Sequence, residues 1–388
     1  FDRLNLSYNN LALGAIQFTG SSGWKEALNY QMGRINYSFD NKYLLTATVR
    51  RDGYSGFAAN HKYALFPTLA LGWVISSEPF MKNLTLLNTL KLRAGYGESG
   101  NMTSRYSSIA KVITNGAYVY GDGGSTAFGQ QVTALGNPNL KWERTKGLNL
   151  GMDFSLFNNR LFGNLEYYIN NTHDLLYSVA LPEITGFPNI LTNLGQLRNK
   201  GFEASVSYRV IDQRDFNWTT SFNFWKNTNK IVSLTGIDAN KDGVEDDLIA
   251  SNLFIGRPLN TVYDYKTTGI YQIGSTPLPG FFPGSMSLLD RDGDNQITPE
   301  NDRMFQGDRN PRYRFSWMNT VNYKGFSLMV FINAIQGGKD GYLGNNNRSY
   351  FRDDNAIRNN DLVQVNYWSP ANPGGKYPRI ISGTQPKI

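Results

Sequence analysis

Between Asp290 and Thr298 the chain reads DRDGDNQIT, which sets the side-chain oxygens of Asp290, Asp292 and Asp294 at positions 1, 3 and 5 of a tight loop. Carboxylates at that spacing converge on a hard cation such as Ca2+, and the backbone carbonyl of Gln296 at position 7 adds a further oxygen. Ile297 at position 8 anchors the loop inward. Position 6 is Asn295 rather than glycine, and asparagine also tolerates the left-handed backbone such a turn needs. Position 12 is Asn301, with Glu300 and Asp302 on either side. Two readings stand side by side: a calcium-organised loop and a solvated acidic turn. A second stretch, Asp238-Ala239-Asn240-Lys241-Asp242-Gly243, repeats the oxygens and has the glycine. Its position 12 is Ile249, which leaves closure to Glu245, Asp246 or Asp247.

Catalytic chemistry has no comparable signal, and no catalytic residue is expected. The two histidines, His61 and His173, lie far apart in the sequence and read as solvated loop residues. No nucleophile elbow, HExxH pair or glycine-rich phosphate loop is present. Cysteine is absent, so disulfides and thiolate metal sites are excluded. The net charge of +7 is spread thinly, with Arg50-Arg51 the densest pair. That pattern speaks against nucleic acid and fits basic residues in a polar lumen or at an anionic membrane rim. Aromatic residues in loop sequence, Tyr118, Tyr120, Tyr177, Tyr263 and Tyr265, have the rings to stack on a sugar. Packing loop against loop accounts for each of them better, so substrate-binding residues stay unassigned.

The elements that must carry these loops are strands. From Leu148 the residues Leu148, Leu150, Met152, Phe154 and Leu156 alternate with Asn149, Gly151, Asp153 and Ser155. A strand turns successive side chains to opposite faces, so this period of two makes one apolar and one polar face. Phe157-Asn158-Asn159-Arg160 reverses the chain, and Leu161, Leu165, Tyr167 and Ile169 alternate on the way back. The same hairpin grammar recurs with short connections at Asp40–Lys42, Asp212–Asp215 and Asn322–Gly325. Long polar loops at about 97–140, 170–199 and 227–310 alternate with them. Short turns on one end and long loops on the other are the rhythm of a transmembrane β-barrel, and strands of roughly 9 to 14 residues are long enough to cross a bilayer. The chain is therefore expected to be all-β, an antiparallel barrel segment with short periplasmic turns and long extracellular loops, through residue 337. Residues 338–388 read as an Asn-, Gly- and Pro-rich extracellular tail. No apolar run reaches the roughly 18 residues of a membrane helix. Aromatics make up 14% of the chain, and Tyr43, Trp73, Trp142, Tyr167, Tyr208, Trp218, Trp317 and Tyr323 fall near strand ends, where headgroup-level rings are expected.

Several blocks carry a family resemblance. YLLTATVRRDG, FPTLALGWVISSEPFMK and LKLRAGYGESGN are followed in order by GNPNLKWERTKGLNLGMDFSLFNNRL, ITGFPNILTNLGQLRNKGFEASVSY, FIGRPLNTVYDYKTTGIYQ and the acidic stretch with YKGFSLMVFINAIQGG. From about Leu28 to Gly338 the chain resembles the SusC/RagA family of TonB-linked outer-membrane proteins. The resemblance implies about ten strands of a 22-strand-class barrel with a plugged lumen. The plug, the N-terminal domains and the TonB-contacting segment fall outside this chain, which is expected to be the middle-to-late barrel of a longer protein. It also implies import of oligosaccharides or oligopeptides across the outer membrane with a SusD-like surface lipoprotein, with outer-membrane lipid and lipopolysaccharide around the wall. The alternative is a barrel serving as a structural subunit of a secretion or barrel-assembly complex. The family's DxNGDGxITPxD stretch implies one inserted residue here, which makes Asp302 the closing calcium ligand.

Overall fold

A computed structural model describes residues 23–120, 125–338 and 366–379. Ten long strands form one antiparallel sheet in simple meander order. They are β1 (Leu28–Phe39), β2 (Tyr43–Tyr54), β3 (Tyr63–Val74), β4 (Leu87–Asn101), β7 (Glu143–Leu156), β8 (Leu161–His173), β11 (Gln196–Asp212), β12 (Phe216–Ser233), β17 (Tyr313–Tyr323) and β18 (Phe326–Gln336). The remaining strands pair in twos inside the long connections: β5 (Lys111–Tyr120) with β6 (Ser125–Ala134), and β9 (Leu176–Ala180) with β10 (Asn189–Asn193). In the longest connection β13 (Thr261–Tyr265) pairs with β16 (Arg303–Asp308), and β14 (Thr267–Ile270) with β15 (Met286–Leu288). No described helix is long and apolar enough to cross a membrane.

The short turns form where residues accept positive φ. Asp40 and Asn41 sit at 52° and 48°, and Phe157, Asn158 and Asn159 at 55°, 53° and 60°. Left-handed backbone at adjacent central residues matches the twist of the flanking strands, and Asp and Asn tolerate it because their short side chains bond locally. Lys324-Gly325 repeats the device at 43° and 90°.

Register then decides which side chains share a face. Trp73 lies opposite Leu92, Leu92 opposite Met152, Met152 opposite Leu165 and Leu165 opposite Ala204. Ala204 faces Phe224, which faces Phe315 and then Ala334. The next row on that face runs Leu71, Ala94, Leu150, Tyr167, Phe202. A continuous apolar band thus crosses the whole sheet, and its side chains are exposed or half-buried, Leu150 and Trp317 each at 45% among the exposed ones. Exposed apolar surface on this scale needs an apolar solvent. A bulge between Arg209 and Ile211 brings Ile211 opposite Trp218.

At the short-turn end the band finishes in rings that are tied down. Tyr43 and Trp73 stack with centroids 6.4 Å apart. The Tyr43 hydroxyl donates to Glu78 Oε1 at 2.6 Å, and Trp73 Nε1 donates to the same oxygen at 3.0 Å. Trp142, expected among the headgroup-level rings, lies elsewhere. It is 3% exposed and packs on Phe57 and Phe66 in a small core with Tyr54 and Leu140. Its Nε1 donates to the Lys62 carbonyl, which fastens two long connections together on the polar side of the wall. The expectation missed this because an aromatic next to a strand end looks the same whether it faces lipid or a loop.

Candidate functional site

Opposite the apolar band, the same strands present a polar face. One row across it reads Gly72, Arg93, Gly151, Glu166, Glu203, Trp225, Arg314 and Ile335. Arg93 is held by two strands at once. Its Nε and Nη2 donate to both oxygens of Asp153 at 2.9 Å, and Nη2 also donates to Glu166 at 2.9 Å. Asn149 and Asn164 donate to Glu166 as well, so this cluster is internally satisfied. It stiffens the wall and leaves little valence for a ligand.

Further along the row the arrangement changes. Tyr168, Glu203, Trp225, Asn227, Arg314 and Asn333 line a concavity of about 640 Å³ roofed by Asn260 and Asn310 from the neck of the longest connection. No hydrogen bond or ion pair occupies the side chains of Glu203, Trp225, Asn227, Arg314 or Asn333 among the described residues. Trp225 is 37% exposed with its ring on the polar face. Every wall N–H and C=O here is engaged in the ladder, so recognition must come from side chains: an aromatic face, amides, a carboxylate and a guanidinium. A second concavity of about 660 Å³ continues along Thr68, Gly95, Gly97, Gly147 and Asn149. This cleft was not legible in the sequence, because it joins residues more than a hundred positions apart.

The acidic loop takes a definite shape. Asp290, Asp292 and Asp294 each bring a carboxylate oxygen within 4.8 Å of the others. Asp290 accepts from the N–H groups of Gly293 and Asn295, and Asp294 from that of Gln296, so the carboxylates also shape their own turn. Asn295 takes φ 62°, in place of the usual glycine. Asp302 does not join the three. It is 1% exposed, and its two oxygens accept from the N–H of Arg291 at 2.8 Å and of Thr298 at 2.7 Å. Those two backbone donors hold its carboxyl below the usual carboxylate range. Asp302 is thus a brace clasping the two ends of the loop.

In the second acidic stretch the three candidate closing residues each accept backbone N–H bonds. Glu245 accepts from Leu234 and Gly236, Asp246 from Ala239 and Asp247 from Ile255. Burial pushes the Glu245 carboxyl up, but the N–H donors around it, Gly236 foremost, hold it below its ordinary value. Among the tyrosines, Tyr263 packs on Phe254 and Phe305 with centroids 4.8 and 4.9 Å away, which is loop packing. Tyr177 pairs across the β9–β10 hairpin with Thr192. Tyr118 and Tyr120 fall in β5, and their side chains lie outside the described residues. His61 ends a short 3-10 turn and His173 closes β8, with neither beside a nucleophile or acid in a catalytic arrangement among the described residues.

Comparison with known proteins places this architecture. The model of the TonB dependent receptor-like β-barrel matches residues 2–366. TonB-dependent receptor P3 of Formosa agariphila is 37% identical over 386 residues, covering 96% of this chain and 38% of that protein. The TonB-dependent receptor SusC of Bacteroides thetaiotaomicron is 36% identical over 276 residues, covering 68% and 27%. The RagAB peptide importer in its closed-closed state superposes with a TM-score of 0.66 at 26% identity, over 80% of this chain and 33% of that one. The chain spans less than two-fifths of the length of these relatives.

Proposed function

The chain belongs to the TonB dependent receptor-like β-barrel family and forms barrel wall of the outer membrane, and we propose that the protein it builds is a SusC-type importer of oligosaccharides or oligopeptides. The observation that carries this reading is the polar face of the wall. Its cleft has an exposed tryptophan, uncommitted amides, the Glu203 carboxylate and the Arg314 guanidinium, set beside the loops at the long-connection end. Such a lining suits a bulky polar solute held by stacking and by several modest hydrogen bonds. In this reading a SusD-like lipoprotein covers the long-loop end, and TonB supplies the energy through a segment other than this one. The loop at Asp290, Asp292 and Asp294 takes a calcium ion, supported by the convergence of the three carboxylates.

The test uses the full-length protein in its native outer membrane. Purification in mild detergent is expected to bring a surface lipoprotein as the stoichiometric partner, and cells are expected to accumulate labelled oligosaccharide or oligopeptide. Trp225→Ala should lower uptake about tenfold while leaving the amount of assembled barrel unchanged, a loss of the size expected for one stacking contact. Copurification with secretion or barrel-assembly machinery, with no uptake of either solute, would replace the importer by a structural subunit.

A further inference from the structure

Two register rows of the polar face carry no charged side chain. One runs Ala70, Gly95, Asn149, Tyr168, Gly201 and Asn227 across β3, β4, β7, β8, β11 and β12. The other runs Thr68, Gly97, Gly147, Asn170, Asn199 and Asn229 across the same strands. Both concavities of the wall draw on these rows, and they share Tyr168, Asn199 and Asn227. The floor is glycine. Gly97 and Gly147 lie under the side chains of Thr68 and Asn170, and Gly201 lies under the Tyr168 ring. Gly95 has no such neighbour: its φ is not left-handed, and the nearest atom to a Cβ placed there is the Leu69 carbonyl oxygen at 4.0 Å. A glycine inside a strand weakens it, and often marks a place where a ligand or another backbone comes close. The amides above this floor are open. Among the described residues Asn170, Asn227 and the Tyr168 hydroxyl make no hydrogen bond, and Asn199 uses only its oxygen, toward Asn229.

Charge, hydrogen bonding and repeat each bear on what fits. An uncharged lining offers no counter-ion, whereas a peptide carries a charge at each end whatever its side chains. A primary amide both donates and accepts, and so does a sugar hydroxyl. Along the rows, side chains recur once per strand at about 4.8 Å, whereas an extended peptide advances about 3.3 Å per residue and drifts out of step. A hexose unit is close to the strand spacing in length and stays in step. Tyr168 within the rows and Trp225 at their end supply rings for the apolar C–H face of a sugar.

We propose that these two rows are a binding track for an uncharged oligosaccharide laid across the strands, one sugar unit to a strand, over five strand intervals or roughly 24 Å. The inference rests on the importer reading and chooses between its two classes of solute. Cells making the full-length protein, and a strain lacking its gene, are supplied with three labelled pools: neutral hexasaccharides from starch, cellulose, xylan, mannan and laminarin, hexamers of galacturonate, and tryptic peptides of casein. Uptake that depends on the protein is expected for the neutral pool. Uptake confined to galacturonate or to peptides overturns the track and leaves the importer standing, whereas no protein-dependent uptake from any pool overturns both. Gly95→Val, which raises the floor, and Asn170→Leu, which removes an open amide, should each lower neutral uptake about tenfold with the amount of heat-modifiable barrel unchanged. Gly33→Val is the control, on the outward face opposite Val49 with open space around it, and should import normally. Normal import by the two track variants overturns the site, and if Gly95→Val does not assemble, Asn170→Leu decides.

Discussion

Asp302 illustrates how one carboxylate can hold both ends of a loop. Its oxygens clasp N–H groups on either side of the acidic turn, at Arg291 and Thr298, and Thr298 Oγ1 also points to it. Because the folded carboxyl titrates below its unfolded value, the brace is complete above the ordinary aspartate pKa near 4 and is lost as pH falls through the lower, folded value. Hydrogen exchange across residues 290–302 should therefore stay slow from neutrality to about pH 4 and quicken only in stronger acid. Asp302→Ala should quicken it at neutral pH, while Asp302→Asn, which retains an acceptor, should do so less. The calcium ion proposed at Asp290, Asp292 and Asp294 has its own test. Chelation is expected to speed exchange around Asp290 to Gln296 in the unmodified loop, and unchanged exchange there would remove the ion from the account.

At the level of strands, the two faces of β7 make the sharpest comparison. Leu150 faces lipid and Asn149 faces the polar side next to Glu166. Leu150→Arg should cost about 2–4 kcal/mol of insertion stability near the bilayer midplane, whereas Asn149→Arg should be close to neutral. Urea titration of the refolded barrel in vesicles measures both, and equal effects would mean the faces are misassigned. That alternation was plain in the sequence, because period two needs nothing but a count along the chain. Strand ends were less plain. β12 runs on to Ser233 and β4 to Asn101, past the points where apolar alternation fades. Beyond the membrane a strand is held by ladder bonds alone, so its residues have no reason to alternate in hydrophobicity. The paired strands within the loops were hidden for the same reason. The spacing of the acidic loop brought its three aspartates into view, but the backbone bonds of Asp302 were not legible, because a brace and a ligand are the same residue type. Trp225 left no signal at all; only register places it beside Glu203 and Arg314.

For the molecule as a whole, the ten-strand sheet is a surface with two chemically fixed rims. The long-loop rim carries Lys146, Arg198 and Lys230 in one register row across β7, β8, β11 and β12. The short-turn rim is the Tyr43–Trp73 pair, whose polar atoms are both committed to Glu78. Interfacial rings usually follow the headgroups by changing rotamer, which lets a protein ride in membranes of different depth. Here the hydroxyl and the indole N–H would have to give up a shared, largely buried carboxylate to do so. Hydrophobic mismatch must then be absorbed by the lipids, which thin or thicken around the wall at a cost of a fraction of a kcal/mol per Å. The clasp at Glu78 makes this stretch of barrel a gauge of bilayer thickness, matched to one membrane and carrying a boundary of deformed lipid into any other.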